Sequence, residues 1–466
     1  MHAGYTSMRA ALRMMIPFAV AAGACAIGCG DETPATDGSG DAVEGDVQEF
    51  GTGPKLAFDE YSVLFTNPLC KKYSYRENDQ VISNAGAPLM NKPEGAYCTQ
   101  SDSVPSAARE SSPQNKLISW INDPETKEIF FAYLSYSNKV VGAEICKAIQ
   151  ERNVKVTFVL DRETDLGAAN TLLACQPGNG DPNLKPRMEL RGHDASIGYA
   201  HNKVFLINPR SDNPRIVFSS GNLSSGVVLH HENWHFIRTP GRTHFAKAHV
   251  CLMDGMLDHY RTKAEYGTYI KGCRDSAGIG EESDIKTFFV PGDGGRAGTN
   301  IRDALRSSTS IGIAAHRFSY SLIRRELDAR FAAGNPPEVK LVVDDDVWWV
   351  GQPGANRDAF PNTPDEFGFV KQLEADGLQV RYMETNHGAR YLHHNKFIVF
   401  KTPRGEAVFT GAGNLTGTAF TDNFENFYWI TIPSVVKAMR EQHDHLWSLA
   451  TPEQNLPKQD VTPATN

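Results

Sequence analysis

Two stretches of the chain set a histidine, an asparagine and a lysine against the start of an apolar run. One is Tyr199-Ala200-His201-Asn202-Lys203-Val204-Phe205-Leu206-Ile207-Asn208; the other is Tyr391-Leu392-His393-His394-Asn395-Lys396-Phe397-Ile398-Val399-Phe400-Lys401. Each continues through a turn into a second apolar run that ends in Gly-Asn-Leu, at Gly221-Asn222-Leu223 and Gly413-Asn414-Leu415. Beyond these stand His231-Glu232-Asn233-Trp234 and Phe424-Glu425-Asn426-Phe427. The spacing is the same in both copies, since 232 − 201 = 31 and 425 − 394 = 31. A single His-x-Lys is commonplace, but two in one repeated context suggest one site made of two halves.

Two imidazoles, two ammonium groups and two carboxamides converging on one pocket suit a phosphodiester. Lys203, Lys396, Asn222 and Asn414 would hold non-bridging oxygens, where charge builds during transfer. One of His201 and His394 would attack phosphorus while the other protonates the leaving oxygen. A nucleophilic histidine needs its tautomer fixed by a partner on the second ring nitrogen. Glu232 and Glu425 are the candidates, each counted with the histidine 31 positions upstream. With lysines supplying the positive charge, no metal or cofactor is required.

These residues resemble the phospholipase D superfamily, whose mark is H-x-K-x4-D followed by G-S/G-x-N, present twice. The resemblance covers about residues 128 to 447 and implies two halves packed about a pseudo-twofold axis, with reaction through a phosphohistidine. It implies His201 as nucleophile and His394 as general acid and then base. The chain departs from the pattern where the family has Asp, carrying Asn208 and Lys401 instead. Glycines Gly221 and Gly413 stand where many members have Ser, although Ser220 offers a hydroxyl next door.

The elements that must position these groups read as a duplicated α/β fold. The first copy has strand signals at 128–134, 154–161 and 187–191, with helical stretches at 140–152 and 171–175. The second has strands at 310–315, 339–344 and 378–382, with helices at 322–333 and 366–376. Strand, helix, strand with short connections implies right-handed parallel crossovers. The expectation is therefore two similar α/β units of mixed, largely parallel sheet flanked by helices. The boundaries read as 1–29 leader, 30–55 flexible linker, 56–277 first half with an extension, 278–448 second half and 449–466 tail.

The leader has Arg9 and Arg13, an apolar run and then Ala26-Ile27-Gly28-Cys29, the order of an export signal ending in a lipobox, with Cys29 as the lipidated residue. That predicts an exported protein of the cell envelope anchored to a membrane. Six further cysteines at 70, 98, 146, 175, 251 and 273 fit disulfides in an oxidising compartment, with neighbours paired as Cys70–Cys98, Cys146–Cys175 and Cys251–Cys273. The net charge of −8 provides no global basic field for nucleic acid. A phospholipid is thus the first-choice substrate, handled by a monomer, with a metal-independent nuclease and an inactive phosphate-binding lipoprotein as the alternatives. His193 and His387, at similar distances before the two motif histidines, are candidate substrate contacts together with Ser220. His230, His231 and His235 cluster near Glu232 without a metal-ligand spacing, and Asp344-Asp345-Asp346 reads as a solvated strand-end turn.

Overall fold

The computed structural model describes residues 53–68, 71–72, 80–82, 88–91, 96–97, 107–109, 111–194, 196–349, 364–385 and 391–456. Cys29, Cys70, Cys98 and His387 lie outside the described residues, as do the leader, most of the linker and the end of the tail. No described helix is long and apolar enough to cross a membrane.

In chain order the first seven main strands are β1 (Glu60–Thr66), β2 (Glu128–Tyr133), β3 (Lys155–Asp161), β4 (Arg187–Arg191), β5 (Lys203–Ile207), β6 (Arg215–Ser219) and β7 (Glu232–Arg238). They form one sheet in the order β1-β7-β6-β5-β2-β3-β4. Eight more follow: β8 (Ile285–Val290), β9 (Ser310–Ala315), β10 (Glu338–Asp344), β11 (Gln379–Met383), β12 (Lys396–Thr402), β13 (Gly405–Gly411), β14 (Glu425–Ile430) and β15 (Thr451–Pro452). Their order, β8-β14-β13-β12-β9-β10-β11-β15, repeats the first sheet and adds one edge strand. Two two-stranded pairs, Lys71–Lys72 with Ala96–Tyr97 and Gln80–Ile82 with Pro88–Asn91, form separate small sheets.

Both sheets are mixed, but their parallel part is confined to three strands, β2-β3-β4 and β9-β10-β11; every other pairing is antiparallel. This narrows the expected largely parallel sheet. The reason is connection length: helices Lys139–Arg152 and Ser321–Ala332 provide parallel crossovers, whereas only short turns join β5 to β6 and β12 to β13. Turns of that length permit only antiparallel neighbours. The sequence reading also missed β8 and helix Gly294–Ser307, which open the second half.

The motif strands read as continuous apolar runs because both of their faces are covered. Val204 and Leu206 of β5 join a central core with Ala314, Phe397 and Tyr428 of the other half. Phe205 and Ile207 point the opposite way, into a core with Val141 and Ile145 of helix Lys139–Arg152. The second half has its own outer core, where Ile398 and Phe400 of β12 meet Ile323 and Leu327. Alternation along a strand thus divides residues between a shared inner layer and a private outer one. Register fixes the chemistry at the same time. Lys203 lies opposite Tyr133 at the end of β2, and Lys396 lies opposite Ala315 at the end of β9.

Two of the expected disulfides are formed. Cys146–Cys175 ties helix Lys139–Arg152 to the residues after helix Gly167–Leu173, and Cys251–Cys273 joins helix His244–Asp258 to helix Lys263–Ser276.

Asn208 and Lys401, at the positions where an acid was expected, sit far from the motif histidines. Asn208 follows the last residue of β5 and Lys401 is exposed near the end of β12, about 15 Å or more of strand from the motif lysines at ~3.3 Å per residue. Asn208 has φ 51°, a left-handed conformation that Asn tolerates. Its Oδ1 accepts from the Lys127 and Glu128 amides at 2.8 and 3.0 Å, and its Nδ2 donates to the Glu125 carbonyl at 2.8 Å. Restoring an acid by Asn208→Asp removes that donor and turns a carboxylate oxygen toward a carbonyl. Chemical denaturation should show a loss of about 1 kcal/mol, the scale of one hydrogen bond, while kcat and KM stay unchanged.

Candidate active site

The two motif histidines are each held by a carboxylate from the other half. His201 Nδ1 lies 2.9 Å from Glu425 Oε2, and His394 Nδ1 lies 3.1 Å from Glu232 Oε1. The pairing is therefore crossed, which corrects the assignment of each glutamate to its upstream histidine. The physical reason lies in the seam between the sheets. Ala200 bridges Phe424 in parallel and His231 bridges His393 in the same way. His201 N donates to Phe424 O and His394 N donates to His231 O, at 2.9 and 3.0 Å. Exchange of equivalent residues across these contacts is what a pseudo-twofold arrangement requires.

Both lysines are buried, with Lys203 at 0 % and Lys396 at 1 % relative exposure, a cost that only nearby carboxylates or a bound anion offset. Lys203 Nζ lies 3.1 and 3.2 Å from the two His201 ring nitrogens and donates to the His201 carbonyl at 3.1 Å. Lys396 Nζ donates to the His394 carbonyl at 2.9 Å and to the Ser220 carbonyl at 3.4 Å. Burial lowers the Lys203 pKa to about 8 against the pull of Glu425 and Glu232. Burial, then the charge of Lys203, holds Lys396 well below its ordinary value. The imidazoles are lowered too, both first by burial. Glu425 is the next influence on His201 and opposes the shift, whereas Lys396, His316, His230 and Lys203 all add to it at His394.

The asparagines Asn222 and Asn414 follow glycines that cannot be replaced without displacement. A Cβ on Gly221 would lie 1.8 Å from Glu232 Oε2, and one on Gly413 would lie 2.2 Å from the Phe427 ring and 3.1 Å from the Glu425 carboxyl carbon. At Gly221 the space is occupied by the Glu232 carboxylate, and at Gly413 mostly by the Phe427 ring with Glu425 behind it. Each Asn leaves its Oδ1 buried without a protein partner, an acceptor whose complement is a hydrogen-bond donor.

Ser220, an expected substrate contact, is fully buried, and its hydroxyl accepts from the Asn233 amide at 3.0 Å. There it supports the backbone ahead of Trp234. His193 has φ 52° and is held between two acids, Nε2 3.1 Å from Asp161 Oδ1 and Nδ1 3.3 Å from Glu163 Oε1. Among the three clustered histidines only His230 reaches the site, with Nδ1 3.0 Å from Glu232 Oε1. His231 instead bonds Tyr391 at 2.6 Å and Asn67 at 3.2 Å, and His235 stacks on Phe218.

Two aspartates that end the second parallel strand of each half were missed as site supports. Asp161 Oδ2 accepts from the Ala200 amide at 2.8 Å, and Asp344 Oδ2 accepts from the His393 amide at 2.9 Å. Each carboxylate thus fixes the backbone just before a motif histidine. Asp344, Asp345 and Asp346 are buried, contrary to the solvated turn expected. Thr385 binds Asp344 and Asp345 at 3.1 and 2.9 Å, and Arg317 approaches Asp346 at 3.9 Å. The signal available in the sequence was an Asp closing each of the matching strands Val-Leu-Asp161 and Val-Val-Asp344.

Residues 301–447 match the family model for the cardiolipin synthase, phospholipase D-like domain. The second half of the chain thus carries a phospholipase D-like domain. Its fold is similar to that of phosphatidylserine synthase from Haemophilus influenzae Rd KW20, at 14% identity and a TM-score of 0.51 over 74% of this chain and 86% of that one. Weaker similarity is found to the phospholipase D family member Nuc from Salmonella typhimurium, at 22% identity and TM-score 0.28 over 36% and 96% of the two chains. Yeast tyrosyl-DNA phosphodiesterase is likewise similar, at 11% identity and TM-score 0.40 over 68% and 86%. No curated protein matches the chain in sequence. The site has both His-x-Lys pairs and both Gly-Asn pairs, one of each in either half.

The low Lys203 pKa has a consequence for anion binding. The ammonium is present below about pH 8 and is lost above it, so affinity for inorganic phosphate or vanadate should fall as pH rises through that point, as read by calorimetry. Gly221→Ala should move Glu232 off His394 and lower kcat by about 100-fold or more, the scale of losing a positioned general acid or base.

Proposed function

We propose that this chain is a phospholipase D-type phosphodiesterase that hydrolyses a phospholipid, or transfers its phosphatidyl group to an alcohol, through a phosphohistidine. The observation that carries the reading is the crossed pair of imidazole–carboxylate contacts, His201 with Glu425 and His394 with Glu232. A carboxylate on each Nδ1 selects the tautomer that carries its proton there, leaving both Nε2 atoms for chemistry. One Nε2 attacks phosphorus, and the other protonates the leaving alkoxide and then takes a proton from the entering water or alcohol. Lys203, Lys396, Asn222 and Asn414 hold the non-bridging oxygens, whose charge rises in the transition state.

A catalytically inactive binding protein is disfavoured by the cost of the site. Two buried lysines beside two buried glutamates carry a desolvation cost, and decay of an unused site would relieve that cost first. The acidic chain and the lipobox-like Cys29 favour a phospholipid over nucleic acid, with the protein working as an exported monomer tethered to the membrane that holds its substrate.

His201→Ala and His394→Ala should each lower turnover of phosphatidylcholine or phosphatidylethanolamine by at least about 1000-fold, measured by release of the head group. Undiminished activity in either variant rules out a shared site. Single- and double-stranded DNA in the same assay should remain intact; their cleavage in preference to lipid selects the nuclease reading. EDTA should leave the rate unchanged. Strict dependence on a divalent ion would instead turn His230, Glu232 and His394, whose ligand atoms lie within 4.8 Å of one another, into a metal site. Mass spectrometry of the mature protein from membranes should find lipid on Cys29.

A further inference from the structure

The two half-sites are unequal, and the inequality lies in what each glutamate holds besides its histidine. Glu425 gives Oε2 to His201 alone, and its Oε1 accepts from Asn423 Nδ2 at 3.1 Å. Glu232 Oε1 is shared by two imidazoles, His394 Nδ1 at 3.1 Å and His230 Nδ1 at 3.0 Å, while Oε2 accepts from Trp234 Nε1 at 3.2 Å. His230 and Asn423 are equivalent positions, each two residues before its glutamate. An amide in one half is therefore a titratable ring in the other. A second difference adds to the first: the His316 ring lies 4.8 Å from that of His394, and the His230 ring lies 5.5 Å away.

Building on the phosphodiesterase reading, we infer that His230 is a positioning residue that makes His394 the attacking imidazole and leaves His201 the proton donor. This is the reverse of the order implied by the family resemblance. The groups facing His394 are Glu232, His230, His316, Lys396 and Lys203; those facing His201 are Glu425, Lys203 and Lys396. A carboxylate oxygen divided between two rings stabilises a proton on either one less than an undivided oxygen does. His201 has a carboxylate to itself at 2.9 Å, and that undivided oxygen, against the opposing Lys203 Nζ at 3.1 Å from Nε2, makes it the better place for the proton that the leaving group needs.

In the first step the His394 Nε2 lone pair forms the N–P bond. The P–O bond to the leaving group breaks, and its electron pair takes the proton from His201 Nε2. In the second step a water oxygen forms the new P–O bond, its proton goes to His201 Nε2, and the N–P electrons return to His394.

The test uses the full chain and bis(4-nitrophenyl) phosphate, whose leaving group needs no proton, beside phosphatidylcholine, whose alkoxide does. His201→Ala should release a stoichiometric burst of 4-nitrophenolate with phosphoryl retained on His394, found by alkaline peptide mass spectrometry, and should lose choline release by at least about 1000-fold. His394→Ala should give no burst. A burst in His394→Ala with the label on His201 overturns the assignment while leaving the phosphodiesterase reading intact. A wild-type protein that turns over neither diester overturns both. His230→Asn copies the other half, keeping a donor to Glu232 while removing the competing ring. The acid limb of its kcat/KM profile, which requires neutral His394, should move up by roughly half a pH unit or more. A uniform drop in rate with an unmoved limb would mean that His230 only supports the fold.

Discussion

The carboxylate that orients each catalytic-type histidine comes from the opposite half of the chain, and the rest of the structure serves that exchange. Neither motif histidine takes its carboxylate from its own half. The backbone bridges Ala200 to Phe424 and His231 to His393 bring the two glutamates across the seam. The inner core is correspondingly common property: β5 and β6 contribute Val204 and Phe218, and β12 and β14 contribute Phe397 and Tyr428. Phe218 and Tyr428 stack at 3.6 Å between centroids, one from each sheet. Burial of this shared apolar surface holds the halves in register, and register sets the distances on which the site depends.

That register must also tolerate charge in a dry interior. Burial works against both ammonium groups and both imidazoles, and hydrogen bonds fix their surroundings. Asp161 and Asp344 bind the backbone ahead of the motif histidines, and Asn426 Oδ1 accepts from the Lys203 amide at 2.8 Å across the seam. Asn233 Nδ2 donates to Asn395 Oδ1 at 3.0 Å in the corresponding place. Preorganised dipoles of this kind cost no rearrangement when charge develops, which is the usual source of catalytic stabilisation. Stability is spent on the site, and the two disulfides and outer cores help to carry the cost.

Much of this was legible in the sequence because it repeats. The doubled spacing of 31 residues located both histidines, both lysines and both glutamates, and the strand–helix–strand pattern gave the parallel core of each sheet. What was not legible depends on contacts between residues far apart in the chain. His201 and Glu425 are 224 positions apart, so nothing local distinguishes a glutamate that serves its own half from one that serves the other. The Asp344 cluster looked like a solvated turn because charged residues at a strand end usually are solvated; burial by Thr385 and Arg317 is a tertiary fact. Strands β1 and β8 share one difficulty: each pairs antiparallel at an edge, without a helical crossover to announce it.

The missing motif acids show how a family signature can mislead when it is read as a unit. His201 and Lys203 begin β5, whereas Asn208 lies past its far end and does a different job, closing the turn beside Glu125 and Glu128. The demand there is two acceptor contacts and one donor, which an amide meets and a carboxylate does not. Lys401 needs no such role, because its side chain is exposed while its backbone pairs with Ser310. The two copies have therefore been free to diverge at the distal end of the motif strand. At the seam, the exchange of Asn423 for His230 keeps a hydrogen bond to the glutamate, at 3.1 Å in one half and 3.0 Å in the other. Divergence of that kind preserves the contact to the glutamate while changing what shares it, and the proposed reaction calls for such a difference because its two histidines would begin it in opposite protonation states.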